Sequence, residues 1–174
     1  MLNTITQWLN SLTNGSDKLA LLPPFKAIGD RYSSNTFTSA GLVIKAGGSA
    51  IVKAGSAFYA IANGTLLTKT ANTDMAALSG TVTNAKFNVF CFYVDSAGTL
   101  TSAMGTEGAT LAAVVMPPLP EKKACIGFVI INPTGTGNFV GGTTPLDDAT
   151  VVPNAAYVNL VAGFDPTVIL GATL

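Results

Sequence analysis

From Thr36 onward the chain is a succession of short apolar runs, interrupted every eight to twelve residues by Gly, Asn or Pro. Such spacing leaves no room for the helices of βαβ units and suits a β-sandwich, jelly roll or barrel. The expected strands are 37–45, 50–53, 58–62, 66–70, 87–94, 99–102, 112–116, 124–131 and 157–161. Two hairpins are expected from their turns. Ile44-Lys45-Ala46-Gly47 recurs as Val52-Lys53-Ala54-Gly55 around Gly47-Gly48, and Val94 to Leu100 encloses a loop that ends in Gly98. The stretch 87–94 is apolar on both faces after Asn88, so it is expected to be a central strand covered on two sides, and 124–131 a second one.

Composition agrees with a β body. Charged residues make up 10% of the 174, against roughly 25% in a typical soluble domain. Surface polarity falls instead to 22 Thr, 12 Asn and 10 Ser, and helix-favouring Gln occurs once. Nine basic and nine acidic residues cancel, and the mean hydropathy is +0.47. A chain with so little electrostatic repulsion tends to associate, so it is expected to work within an assembly.

Both ends are apolar. Leu2, Ile5, Leu9 and Leu12 recur at helical spacing, with Trp8 on the same face, and Asn14-Gly15 can close that helix. Its stripe packs either on its own domain or on a partner, as a bundle of copies or an anchor in a groove. Pro23-Pro24 is expected to be extended and to divide a helical arm, 1–24, from a β body, 25–174. The body ends in an apolar tail containing Val168, Ile169 and Leu170, which docks on its own sheet or on a neighbouring subunit. The glycine-rich stretch after Pro133 is expected to be a long loop or an arm that orders on a neighbour.

Several chemistries are excluded or left with weak candidates. The chain has no His, which removes Ser-His-Asp and Cys-His catalysis and HExxH zinc sites. Of the nine acids only Asp147 and Asp148 are adjacent, and neighbours on a strand point to opposite faces. They form a solvated turn or an oxygen-ligand cation site. Gly135 to Gly141 has the spacing GxGxxxG without a following helix, which does not fit a phosphate loop. Asn14-Gly15-Ser16 and Asn63-Gly64-Thr65 are expected to be plain turns. Cys91 and Cys125 are expected to be buried free thiols, and Tyr32, Phe58, Tyr59 and Tyr157 are the candidates for a stacking platform. One Arg and eight scattered Lys give no nucleic-acid footprint. No apolar run reaches membrane-spanning length and the N-terminus lacks a signal-peptide pattern, so no membrane partner and synthesis in the cytoplasm are expected.

The stretches 46–55, 58–64, 93–98, 126–133 and 139–147 resemble small virion structural proteins of tailed bacteriophages. The resemblance implies a mainly β protein located in the virion and lacking enzymatic activity or a cofactor. It would decorate or cement the head, with the major capsid protein and copies of itself, as a homotrimer, for partners. In that setting Leu2, Ile5, Trp8, Leu9, Leu12, Val168, Ile169 and Leu170 are the expected interface residues. The other reading is a tail-fibre, baseplate or receptor- or glycan-binding module.

Overall fold

The computed structural model describes residues 22–24, 26, 28–30 and 32–161. The described chain is mainly β, in the order β1 (Asn35–Thr36), β2 (Leu42–Ile44), β3 (Val52–Ala54), β4 (Phe58–Ala62), β5 (Thr65–Lys69), β6 (Thr81–Val82), β7 (Asn88–Val94), β8 (Leu100–Met104), β9 (Ala124–Ile131), β10 (Phe139–Val140) and β11 (Ala156–Asn159). All pairings are antiparallel: a four-stranded sheet β11-β9-β7-β8, a three-stranded sheet β1-β4-β5, and the ribbons β2-β3 and β10-β6. The sheets do not close into a barrel.

β7 is the central strand that its two-sided apolar pattern implies, buried at every residue and paired on both edges. Phe90, Phe92 and Val94 face the larger core with β2, β3, β4, β6 and β10. Val89, Cys91 and Tyr93 face a smaller cluster closed by Val114, Met116, Phe128 and Leu160. Phe139 of β10 meets Phe90 edge-on at 5.9 Å, a favoured aromatic geometry.

β9 buries most of both faces, and a bulge resets which residues face the larger core. Cys125 pairs with Tyr93 and Gly127 with Phe92, so Ile126 is the extra residue. Ala124 and Ile126 face the larger core before the bulge, and Val129 and Ile131 face it afterwards.

Both expected hairpins form. Ile44 pairs with Val52 across a loop containing Gly48 at φ +75°, and Val94 pairs with Leu100 across one containing Gly98 at φ +79°. In the second, Asp95 Oδ1 accepts the backbone N–H groups of Thr99 (2.9 Å) and Ala97 (3.0 Å). The Thr99 bond is the main reason its carboxyl lies below the ordinary value of 3.8. Thr83 likewise lowers Glu107 from 4.5, and Thr150 lowers Asp148 from 3.8. A lowered folded-state pKa contributes stability above the unfolded value, and that contribution is lost as pH falls through the folded one. With no His to titrate, the melting temperature should be flat between about pH 8 and about pH 6 and drop below about pH 4.5. Asp95→Asn should make the acid-side drop shallower, as read by calorimetry across pH; an unchanged profile would show that this turn contributes nothing.

Three expectations are corrected. The residues after Leu111 do not form a strand. Leu111–Ala113 is one 3-10 turn, Val115 makes only an isolated bridge to Thr106, and the following Pro117 and Pro118 cannot donate to a ladder. The stretch 37–45 contracts to Leu42–Ile44 because Gly41 takes φ +59° and breaks the extended chain. Pro23 and Pro24 carry helical backbone, as do the other described residues of 22–33. Proline's fixed φ of about −65° suits a helix as well as an extended chain.

The glycine-rich segment after Pro133 is a loop folded onto its own body. Thr136 N–H donates to Thr150 O (2.6 Å), Leu146 N–H to Ser49 O (2.9 Å), and β10 pairs with β6.

Candidate interaction surface

The alternation of β4 is inverted in size. Ala60 and Ala62 are fully buried with Phe58, while Tyr59 is 48% exposed and Ile61 partly exposed. Small inward residues let this sheet approach β9, where Thr36 Oγ1 donates to Cys125 O at 2.7 Å. Ile61 lies opposite both Asn35 and Leu66. The Phe37 N–H donates to Tyr59 O at 2.8 Å, which continues β1 beside Tyr59. By the strand period of two, Phe37, Tyr59, Ile61 and Leu66 therefore share the outer face with Asn35 and Thr68. Among the described residues this face carries no ionised side chain. Phe37 is 45% exposed, Tyr59 48% and Leu66 66%; exposed apolar side chains grouped on one face are a candidate for an interaction surface.

An open cleft of about 810 Å³ adjoins one end of this sheet, lined by Leu22, Lys26, Asp30, Asn63, Leu119 and Glu121 among others. It lies between the helical residues and the 118–122 loop. Asp30 accepts the Lys122 N–H with both oxygens at 2.8 Å, and Lys26 pairs with Glu121 at 3.4 Å. The second contact is largely solvated and contributes little. Gly64 N–H donates to Ser33 O (2.9 Å), joining the β4-β5 turn to the same region.

Each carboxylate among the described residues has a structural partner. Beyond those already named, Asp74 pairs with Lys45 at 2.5 Å. Glu107 accepts both the N–H and the hydroxyl of Thr83 at 3.0 Å. Asp147 accepts the Gly48 N–H (3.0 and 3.1 Å), and Asp148 accepts from Thr150 and Val151. The adjacent pair thus ties two loops, and no group of three or more potential metal ligands exists among the described residues. No helix among them is long and apolar enough to cross a membrane.

The residues singled out by sequence are scattered. Phe58 is core and Tyr157 half-buried, with burial raising its hydroxyl pKa, whereas Tyr32 is 83% exposed. Neither cysteine is in a disulfide; Cys91 is buried as expected, but Cys125 only partly so. Asn63 and Gly64 take φ +49° and +77°, the turn of the β4-β5 hairpin. Leu2, Ile5, Trp8, Leu9, Leu12, Val168, Ile169 and Leu170 lie outside the described residues. Sequence reasoning flagged Tyr59 but missed Phe37, Ile61 and Leu66; the alanines at 60 and 62 were the available signal.

Comparison with family models, curated proteins and solved structures finds no match to this chain.

Proposed function

We propose that the protein is a structural virion component, a decoration or cement protein that binds and stabilises a tailed-bacteriophage head. The observation that carries this reading is the outer face of β1-β4-β5, uncharged among the described residues, where Phe37, Tyr59 and Leu66 are exposed. Burial of apolar surface contributes about 25 cal/mol per Å², and repetition over many symmetric sites turns modest contacts into firm attachment. The partners are the major capsid protein and copies of the chain, as a homotrimer, joined through the arm 1–24 and the C-terminal tail. The same reading gives the protein no catalytic role, cofactor, nucleic-acid partner or membrane partner.

The test mixes full-length protein with empty heads that lack it and sediments them. The parent should pellet saturably with the heads. Tyr59→Glu combined with Leu66→Glu, both on the exposed outer face, should leave the melting temperature unchanged and abolish pelleting; undiminished pelleting would exclude that face from the contact.

A glycan-binding fibre module is the second reading, favoured by the exposed Tyr32 and Tyr59 and the nearby cleft. It requires glycan binding by the isolated protein that is lost in Tyr59→Ala.

A further inference from the structure

We infer that β5 is a contact between two copies of this chain, pairing antiparallel with β5 of a second copy across a two-fold axis at Leu67. The inference goes beyond the head-binding reading and does not depend on it.

β5 is the outer strand of its sheet, five residues long, with β4 on one side only. The other long edges have neighbours. On β8, Ser102 Oγ donates to Ala77 O at 2.7 Å, and on β11, Asn159 Oδ1 accepts the Leu42 N–H at 2.8 Å. No hydrogen bond reaches the free edge of β5 from any described residue. It also lacks the usual protections of an edge, since it has no proline and no bulge, and its one charge is Lys69 at the end.

The ladder decides which groups face outward. A two-residue turn makes Ala62 and Thr65 a hydrogen-bonded pair, followed by Ala60 with Leu67 and Phe58 with Lys69. Tyr59 O, engaged by the Phe37 N–H on the β1 side, has the matching parity. Leu66 and Thr68 therefore direct their N–H and C=O groups away from the sheet.

An antiparallel copy centred on Leu67 sets Leu66 against Thr68 of the second strand, and Thr68 against its Leu66. Each becomes a hydrogen-bonded pair, so four backbone bonds form with nothing left over. Leu67 meets its own equivalent at a non-hydrogen-bonded position, and each Lys69 lies opposite a Thr65 rather than another Lys69. The strand is thus self-complementary in hydrogen bonding and free of like-charge opposition in this register, which is what an isologous two-fold contact requires. The result is a six-stranded sheet whose outer apolar face is continuous across both copies.

The register is tested by cysteine placement in the full chain, without heads present. At non-hydrogen-bonded antiparallel positions the strands approach to about 4.5 Å between Cα atoms, within disulfide range. Leu67→Cys should give a covalent dimer under mild oxidation. Thr65→Cys and Lys69→Cys should each stay at the parental background alone and cross-link when mixed. Thr68→Pro removes an outward N–H that no described residue accepts, so it should retain the parental circular dichroism and melting temperature while its mass in light scattering falls to half the parent's. A Leu67→Cys chain that cross-links no more than Thr65→Cys alone would overturn the proposal, as would a folded Thr68→Pro chain with the parent's mass. If Thr68→Pro unfolds, the cysteine series decides alone. Because heads are absent throughout, failure here leaves head binding to its own test.

Discussion

Phe90→Asp should abolish the cooperative thermal transition or lower its midpoint by about 10 °C or more. Phe90 is fully buried in the central strand, paired with Val129 on one side and Met104 on the other, with Phe139 against its ring. The substitution removes an aromatic side chain from the larger core, leaves a cavity, and puts an unpaired carboxylate where nothing can solvate it. Each effect is costly, and together they amount to at least about 3 kcal/mol. A domain stable by roughly 5–15 kcal/mol does not absorb that easily. Phe90→Leu separates the terms, since it keeps the site apolar and should cost about 1 kcal/mol. Calorimetry of both variants distinguishes them; a Phe90→Asp chain that melts like the parent would remove β7 from the core.

Gly127→Val should destabilise by about 3 kcal/mol through a different mechanism, overpacking rather than loss of contacts. Gly127 follows the bulged Ile126, with β11 on its other side. A Cβ there would run into the Val158 carbonyl oxygen and come within 2.6 Å of Leu42 Cδ1 and 3.3 Å of Asn159 Cα. Leu42 can shift, but the Val158 carbonyl is held in the sheet. Gly127→Ala already introduces the Cβ, so it should cost part of the same penalty, and valine should cost more. Urea denaturation should show a lower midpoint for both, in that order. An alanine variant as stable as the parent would mean that β9 and β11 separate more readily than their pairing implies.

The parts of this fold legible in the sequence are those whose signal is local. Phe58–Ala62 and Ala124–Ile131 coincide with the expected strands, because β-rich runs ending at Asn63-Gly64 and Asn132-Pro133 define themselves. The hairpins closing through Gly48 and Gly98 were readable for the same reason. Asn35–Thr36, Thr81–Val82 and Phe139–Val140 were not, since a strand of two residues has no periodicity and exists only through its tertiary partner. The helical residues around Pro23 and Pro24 were missed because two prolines are equally consistent with an extended chain. The candidate surface was hidden by a size inversion. In Phe58-Tyr59-Ala60-Ile61-Ala62 the alternation is plain, but hydrophobicity alone does not reveal that the alanines face inward. Only the neighbouring layer, close enough for Thr36 to reach the Cys125 carbonyl, makes that choice necessary.

The most direct test of the structural role is cryo-electron microscopy of empty heads incubated with the full-length protein. The expected result is density for the β body at every equivalent threefold position of the shell, absent from untreated heads. Bare shells at saturating protein, or density confined to the tail, would contradict it.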